Sequence, residues 1–461
     1  MTILTNVTWA ELEIDASASL DRLCRADDLV VFAHASGNRN PLHEADADGD
    51  GDGEPEAIAP AMWVASLVSA VLGNVLPGPG TRYHSQDLTF LAPVHPGQTV
   101  RTTVTLREKG DGRRAVFAVE LERDDETPVA RGTATVIAPE HKLSFDAADM
   151  PGLLVQDHHH FDRLLAMAQP LPPIPTAVVA PEEPAALGGA LLAAEHTLIT
   201  PVLIGCETKI RAAAQEIEAQ LDTLQVINEA DHSAAAARAV QLFHDGNVRA
   251  LMKGHLHTDV LLRHVVKREG GLRTSRRLSH VFVMDVPGLD HLLFVSDAAI
   301  NISPDLATKA DITQNAIDVA LALGVDEPKV GVLCAVETVN PAMPSTLDAA
   351  ALAKMSERGQ IKGGIVDGPL AMDNAIDLAA AQTKGIRSLV AGRADILIVP
   401  NLEAGNMLAK ELTFVAHAQA GGLVMGAQCP VILTSRSDDE RARLASCAVA
   451  ALYDAHHRVA D

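Results

Sequence analysis

Two different hydrophobic patterns divide this chain of 461 residues, and the division limits the folds open to it. Residues 81–138 alternate apolar and polar positions with a period of two, which is typical of antiparallel strands with one buried face. From Thr176 onward, short aliphatic runs alternate instead with helical stretches, as in βαβ units. The sequence therefore predicts a front domain built on an antiparallel sheet, followed by an α/β region.

The front domain, predicted at 1–145, combines the sheet with one helix. Residues 62–76, MWVASLVSAVLGNVL, are apolar on nearly every side and are followed by Pro77. A helix of that composition is buried, and proline does not continue it. We therefore expect an α+β domain in which the sheet wraps a buried helix.

Residues 146–175 are predicted to be a linker. Five prolines lie between 151 and 175, together with the run His158, His159 and His160. Adjacent histidines project in different directions from a regular backbone, so we expect them to be solvated and not to bind a metal.

In the region 176–461, five loops follow aliphatic strands and lead into helices. The alternation predicts a mostly parallel, doubly wound sheet, and ligands of such sheets bind at the carboxyl ends of strands, near helix N-termini that favour anions. The site is therefore expected at the loops of ALMKGHLHTD, LLFVSDAAINISPD, GGIVDGPLAMDNA, ADILIVPNLEAGN and CPVILTSRSDDE.

A basic run at 263–277 stands out from an acidic chain. The chain has 37 basic and 60 acidic residues and a formal net charge of -23, which argues against binding to nucleic acid or to an anionic membrane. The run, RHVVKREGGLRTSRR, holds six cations and one glutamate. Guanidinium groups bind phosphate bidentately. The run indicates either a phosphate or nucleotide site or a solvated basic face.

The cysteines and the N-terminus bear on the compartment. Five cysteines are scattered without CxxC spacing, which favours buried thiols in a reducing cytosol over disulfides or a zinc site. The N-terminus lacks the features of a signal peptide, and no apolar run reaches about 18 residues. We therefore expect a cytoplasmic protein.

A series of strings between about 250 and 450 is specific enough to suggest a family. They are LMKG, LRT, LSHV, DAAINI, AVETVNP, RGQIKGGIVDGPLAMDNA, AGRADILIVPNLEAGN and LTSR. Together they resemble the phosphate acetyltransferase and phosphate butyryltransferase family, and the butyryl branch more closely. The resemblance implies a two-lobed, doubly wound fold shared with isocitrate dehydrogenases, at 176–461 with a second lobe at about 300–410. It also implies a homodimer or higher homo-oligomer.

The reaction implied is attack of the coenzyme A thiol on the carbonyl carbon of a short acyl phosphate, and its reversal. Acyl-CoA, phosphate and acyl phosphate are the implied partners, with no bound cofactor and no metal. In the family, a serine, an arginine and an aspartate after the last strand take part, and Ser435 and Arg436 match the first two. Asp438 is the first choice for the general base and Asp439 the second. A helix cap explains these acidic residues equally well.

The resemblance also selects residues for binding. Arg263 and Arg277, with Arg273 behind them, are candidates for contacts with phosphate and coenzyme A, and Asp373 is a candidate for the cleft. Asp297 and Asn301 are expected in the cleft without an assigned role. Other residues are expected to order loops that line the cleft: Asp367, Gly368, Glu403, Gly405 and Asn406.

The front domain resembles another family over about 25–110. LVVFAHASGNRNPLHEAD and IAPAMWVASLVSAVLGNVLPGPGTRYHSQDLTFLAPVHPGQTV are similar to MaoC-like (R)-specific enoyl-CoA hydratases, which implies a hotdog fold. In that family an aspartate and a histidine five residues apart activate water. His43 matches the histidine, Asn38 stands at the aspartate, and Ser69 belongs to the same remnant site. Pro60 and Ala61 also replace the usual His-Gly. An amide cannot accept the proton, so we expect weak or absent hydration.

Other interpretations stay open. The alternative functions are a fully bifunctional hydratase and transferase, a non-catalytic acyl-CoA sensor, and an oxidoreductase related to the dehydrogenases that share the fold. In the acidic insertion EADADGDGDGEPEA, a calcium loop aligned on Asp46, Asp48 and Asp50 would place Ala57 where a glutamate is needed. A flexible acidic loop is therefore expected.

Overall fold

The computed structural model describes residues 3–44, 56–146, 158–433 and 440–460. The chain divides into two compact units, Met1–Val155 and Gln156–Asp461, which we call the front unit and the rear unit and describe separately. Within the described ranges, no helix is long and apolar enough to cross a membrane.

The front unit consists mainly of strands. Its elements are β1 (Ile3–Thr5), β2 (Ser17–Leu23), α1 (Ala26–Ser36), a 3-10 helix (Pro41–His43), α2 (Ala61–Asn74), β3 (Arg82–Phe90), β4 (Thr99–Gly110), a second 3-10 helix (Asp111–Arg113), β5 (Arg114–Arg123), β6 (Pro128–Ile137) and β7 (Ser144–Asp146).

An antiparallel sheet in the order β2-β4-β5-β6-β3 packs against α2. The period-two pattern places side chains such as Val104 of β4 and Phe117 of β5 in the core, against the apolar side of α2. The helix ends at Asn74, shortly before Pro77. The predicted α+β class, with its antiparallel sheet and buried helix, is confirmed. The four strands of 81–138 do not pair in simple chain order, because β3 pairs with β6 and not with β4, where β2 lies instead.

The rear unit alternates strands and helices. Its elements are α3 (His159–Ala168), β8 (Ile174–Val179), α4 (Pro184–Glu195), β9 (Ile199–Gly205), α5 (Glu207–Glu216), β10 (Gln225–Asn228), α6 (His232–His244), β11 (Ala250–Lys253), α7 (Thr258–Val265), β12 (Ser279–Asp285), β13 (Leu293–Ser296), α8 (Leu306–Ala322), β14 (Lys329–Leu333), α9 (Pro344–Glu357), β15 (Ile365–Leu370), α10 (Met372–Ile376), α11 (Leu378–Thr383), β16 (Ile396–Ile398), α12 (Leu402–Phe414), β17 (Gln419–Met425), β18 (Val431–Ile432) and α13 (Glu440–Ala460).

The described strands of the rear unit form one sheet in the order β10-β9-β8-β11-β18-β17-β12-β13-β16-β14-β15. Neighbours are parallel from β10 to β18 and again from β13 to β15. Between these two parts, β17 is antiparallel to both of its neighbours, and β12 is antiparallel to β17 and β13. The α/β class is confirmed.

The antiparallel strands change where the expected loops begin. The strand direction reverses three times, between β18 and β17, between β17 and β12 and between β12 and β13. The loops after β11 and β18 therefore start at one edge of the sheet. The loops after β13, β15 and β16 start at the opposite edge. We expected all five loops to follow parallel strands, because an aliphatic segment does not indicate in which direction its strand runs.

The predicted linker is wrong for its second half, because residues 159–168 form α3. Phe161 and Leu164 are buried in the core of the rear unit. The backbone N–H of Phe161 donates to Oδ2 of Asp285 at 3.0 Å, and α3 packs against α13. His160 lies near the Leu289 carbonyl oxygen, with Nε2 3.3 Å away. The prolines on either side of this segment suggested a linker, although its apolar residues are spaced as in a helix.

Candidate active site

A cavity of about 630 Å³ lies over the antiparallel strands β12 and β17 of the rear unit. Its lining also includes residues at the end of β11, the start of α7, α12, the end of β18 and the first turns of α13. A cavity of this size can hold a small-molecule ligand. Chain segments that begin at opposite edges of the sheet thus meet at one site.

The cavity is lined by basic and neutral side chains. Among the described residues that line it are Lys253, His257, His280 and Lys410, and none of the described lining residues is an aspartate or a glutamate. The whole chain has a formal net charge of -23. A concave site lined by one sign of charge concentrates ions of the opposite sign. The cavity therefore favours an anionic ligand.

Lys253 reaches the cavity from the end of β11, where it is 8% exposed. Its Nζ donates to the carbonyl oxygens of Gly254 and Leu256 at 3.2 and 3.5 Å. The next residues are held against β8, because the N–H of His255 donates to Ala180 O at 2.6 Å. A Cβ on Gly254 would lie 2.4 Å from that same oxygen. Close backbone packing therefore fixes the position of Lys253.

The first turn of α7 lines the cavity next to Lys253, through His257 and Thr258. His257 is the N-cap residue, and its side chain makes no capping hydrogen bond. The first N–H groups of a helix have no partner within the helix, and they attract anions. Lys253 and this helix terminus together form a positive wall.

Helix α12 forms another wall. Asn406 lines the cavity, and its Nδ2 donates to Ala298 O at 3.3 Å, which ties the helix to the loop after β13. Lys410 and Phe414 follow on the same helix, with the Lys410 Nζ 5.9 Å from the centroid of the Phe414 ring. This wall adds a second ammonium group to the site.

The floor of the cavity comes from β12 and β17. His280 and Phe282 of β12 both line it, and their ring centroids lie 4.3 Å apart. Gly422 of β17 leaves room for the imidazole, because a Cβ there would lie 2.7 Å from its Cε1. Burial lowers the pKa of His280 to about 4, although the negative charge of Asp297 opposes this shift. The imidazole is therefore neutral at physiological pH.

Asp297 and Asn301, expected in the cleft, instead order the loop after β13. Oδ1 of Asp297 accepts from the N–H groups of His280, Ala299 and Ile300 at 3.2, 3.0 and 3.1 Å. Its Oδ2 accepts from the backbone N and Nδ2 of Asn301 at 2.9 and 2.6 Å. Neither side chain lines the cavity. Their polar atoms hydrogen-bond to each other and to the loop, and their part in the cleft stays a prediction.

The four predicted binding residues lie outside the lining of this cavity. Three of them are exposed arginines of the basic run: Arg263, Arg273 and Arg277. Arg263 pairs with Asp259 at 3.2 Å, and the exposed Asp373 pairs with Lys384 at 3.1 Å. Their part in binding stays a prediction. Of the other loop residues, Asn406 lines the cavity, whereas Asp367, Gly368, Glu403 and Gly405 do not.

The predicted catalytic residues Ser435, Arg436 and Asp438, and the alternative base Asp439, lie outside the described residues. Leu433 and Ala442, described on either side of this segment, both line the cavity. Ser446 of α13 lines it as well, and its Oγ accepts from Gly422 N at 3.1 Å and donates to Ala442 O at 2.9 Å. The choice between base and cap therefore stays open.

Sequence reasoning did not select Lys253, His280 or Lys410. Lys253 ends an apolar strand, and His280 interrupts the apolar run LSHVFV. A polar side chain within a buried strand needs a partner, and this was the available signal. Lys410 gives no such signal, because a helical lysine is usually solvated.

In the front unit, the remnant hydratase residues are held by local contacts. Oδ1 of Asn38 accepts from the backbone N of Asn40 at 3.2 Å, which forms a tight turn after α1. Nδ1 of His43 lies 2.6 Å from the Ile58 carbonyl oxygen. Ser69 is an exposed residue of α2. The Asn38 amide is thus used in a turn, and the His43 ring is held by the chain that follows the acidic insertion.

The acidic residues proposed for calcium, Asp46, Asp48 and Asp50, lie outside the described residues. Ala57, which follows the insertion, is buried in the core of the front unit. Across the part of the chain that the structure describes, no group of three or more His, Cys, Asp or Glu side chains could hold a metal ion.

Comparisons with known families separate the same two regions. The family model described as "Phosphate acetyl/butaryl transferase" matches residues 230–451. The model described as "MaoC like domain" matches residues 9–127. The transferase match includes every described residue that lines the cavity.

Individual relatives match along nearly their whole length. A phosphate acetyltransferase of Rhizobium meliloti is 57% identical over 301 residues, which cover 65% of this chain and 95% of that protein. A phosphate butyryltransferase of Clostridium beijerinckii is 43% identical over 299 residues, with 65% and 99% covered. The crystal structure of a branched-chain phosphotransacylase from Enterococcus faecalis V583 is 31% identical, with a TM-score of 0.53 and 61% and 99% covered. Because both identity and coverage are high, this chain belongs to the phosphate acetyl/butyryl transferase family, with a MaoC-like domain ahead of its transferase region.

Proposed function

We propose that the protein transfers a short acyl group between coenzyme A and inorganic phosphate. The reaction converts short-chain acyl-CoA and phosphate into acyl phosphate and coenzyme A, and it runs in both directions. The cavity carries the proposal, because two lysines and no described carboxylate line it in a strongly acidic chain. Both substrates are anions, and the names of the acetyl- and butyryltransferase relatives point to the same reaction.

During transfer the sulfur of coenzyme A forms a bond to the acyl carbonyl carbon, and the bond from that carbon to phosphate breaks. A thiol with a pKa of about 8.5 is only partly ionised at neutral pH, so a general base speeds the attack. We assign this role to Asp438, with Ser435 and Arg436 contacting the phosphate and the developing oxyanion. The support is local, because Leu433 and Ala442 bring the ends of this segment to the cavity.

The positively charged groups on the two walls suggest where each anionic part of the substrates binds. Lys253 and the start of α7 suit the phosphate, and Lys410 suits a second anionic group of the bound pair. We assign Arg263, Arg273 and Arg277 to the nucleotide of coenzyme A, which would extend beyond the cavity. Asp373, paired with Lys384, is retained as a cleft residue without an assigned contact.

The experiment measures free thiol released by purified protein from acetyl-, propionyl- or butyryl-CoA, with and without phosphate. The proposal expects release that depends on phosphate with at least one of these substrates. No phosphate-dependent release with any of them would reject it. Relative kcat/KM values for the three substrates would give the preferred chain length.

The resemblance also suggests how the protein works as an assembly. We propose a cytoplasmic homodimer whose transferase activity requires neither a metal nor a bound cofactor. Excess chelator should leave the rate unchanged, and light scattering should give twice the mass of the chain. Loss of activity with the chelator, or a monomer at assay concentrations, would contradict the corresponding part.

A second function is proposed for the front unit: it binds acyl-CoA and hydrates enoyl-CoA weakly or not at all. The amide of Asn38 is engaged in a turn with Asn40, and an amide cannot take a proton from water. Hydration of crotonyl-CoA should be slow in the natural protein and faster in Asn38→Asp. Equal and robust rates in both would contradict this argument and favour a fully bifunctional enzyme.

A further inference from the structure

His280 on the cavity floor has a ring nitrogen without a partner. The residue is 3% exposed, and Nδ1 is a buried atom that makes no hydrogen bond. Most buried polar atoms in proteins are paired, because an unpaired one costs free energy. A buried histidine with an unpaired nitrogen beside a ligand cavity therefore suggests a role in function.

The orientation of the His280 ring is fixed by its neighbours. Phe282 packs against it edge-on at 4.3 Å, and Gly422 leaves the space that a Cβ would take, 2.9 Å from Nε2. The backbone N–H of His280 donates to Oδ1 of Asp297 at 3.2 Å, and its carbonyl accepts from Oγ of Ser296 at 2.8 Å. Since Nδ1 is enclosed while the residue lines the cavity, the ring edge that contains Nε2 faces the ligand space.

The chemistry of the cavity indicates which part of the substrate lies there. The floor is otherwise rich in apolar and small residues, including Phe282, Ala420 and Gly421, whereas the ammonium groups of Lys253 and Lys410 lie on the walls. An apolar acyl chain fits the floor, and phosphate is drawn to the walls. The acyl carbonyl joins these two parts and therefore falls near His280.

We propose that Nε2–H of His280 donates a hydrogen bond to the carbonyl oxygen of the acyl group during transfer. This inference rests on the proposed function. As sulfur bonds to the carbonyl carbon, an electron pair moves onto that oxygen; it returns when the bond to phosphate breaks. The thiol proton passes to the general base, and His280 keeps its own proton throughout.

A neutral imidazole suits this role. Burial lowers the pKa of His280 to about 4, with Asp297 opposing the shift, so the ring is an uncharged donor at neutral pH. A base this weak would take a proton from a thiol poorly. A fixed donor aimed at the oxygen where negative charge develops lowers the barrier.

Two substitutions separate this role from packing. In His280→Gln the amide can place a donor near the position of Nε2, whereas in His280→Asn it reaches only the position of Nδ1. We expect kcat to fall by about 100-fold in His280→Asn, as when an oxyanion donor is removed, and by less than about 10-fold in His280→Gln. KM for coenzyme A should change little in either. His456→Gln, at an exposed position outside the cavity lining, is the control and should match the natural protein.

Equal losses in both variants, or no loss in either, would overturn the inference, because packing alone would then explain His280. If the natural protein transfers no acyl group, the proposed function itself fails. A second measurement needs no variant: the infrared carbonyl band of bound butyryl-CoA labelled with ¹³C at the thioester should lie below its position in an apolar solvent. A band at the apolar position would also overturn the inference.

Discussion

Burial of His280 predicts how the rear unit responds to acid. Its pKa falls from an ordinary value of 6.5 to about 4 because burial disfavours the charged ring. Below pH 6.5 the unfolded chain therefore binds a proton that the folded chain does not. The contribution of neutral His280 to the free energy of unfolding is fully present above pH 6.5 and is lost as the pH falls toward 4.

The size of the effect follows from the two pKa values. Lowering the pKa of His280 from 6.5 to about 4 corresponds to about 3 kcal/mol of unfolding free energy, since each tenfold change in proton affinity is worth about 1.4 kcal/mol. Between pH 7 and pH 4.5 the natural protein should lose about 2 kcal/mol through this residue. His280→Gln removes the titrating group, so the part of the fall in unfolding free energy that His280 causes should be absent from this variant.

Urea unfolding of the natural protein and of His280→Gln at pH 7 and pH 4.5 measures the difference. The rear-unit transition is identified by its shift when inorganic phosphate is added, because a ligand stabilises the unit that binds it. The natural protein should lose about 2 kcal/mol more than the variant on acidification. The same loss in both proteins would show that His280 is not buried as a neutral ring, and the reasoning would be wrong.

Three further predictions test the site and the packing around it. Lys253→Met should lower kcat/KM for phosphate by about 10- to 150-fold, the worth of a hydrogen bond to a charged group, while Lys354→Met, on the exposed side of α9, should leave it unchanged in the same assay. Gly254→Ala should destabilise the rear unit by about 1–3 kcal/mol in urea unfolding, because its Cβ would meet a backbone oxygen at 2.4 Å, and unchanged stability would contradict that contact. Phe161→Ala should cost the rear unit about 3–5 kcal/mol, and a loss near zero would restore the linker interpretation of α3.

Local patterns predicted the elements better than they predicted strand direction. The alternation along 81–138 is visible because one face of each strand is buried and the other is not. Strands such as β8 and β12 are buried on both faces, so they lack the alternation of polar and apolar residues, and their sequences do not indicate whether a neighbour is parallel or antiparallel. The antiparallel placement of β12 and β17 comes from tertiary pairing, which no short segment contains.

The same distinction applies to the site. Five of the eight strings that suggested the family contribute residues to the cavity lining: LMKG, LSHV, DAAINI, AGRADILIVPNLEAGN and LTSR. Leu433 and Ala442 lie on either side of the predicted catalytic residues. Arg263, which both its charge and the family resemblance selected, lies exposed and paired with Asp259. Lys253 was less conspicuous, because its importance comes from burial at the end of β11. Burial depends on how the chain packs, and the sequence does not state it.

The central claim is that acyl transfer to phosphate takes place in the rear unit. It is tested most directly by following butyryl-CoA and phosphate with purified protein by ³¹P NMR, while the released thiol is counted in the same sample. The account predicts one acyl phosphate formed for each thiol released. Thiol release without acyl phosphate, at a rate independent of phosphate, would identify a thioesterase and contradict the account.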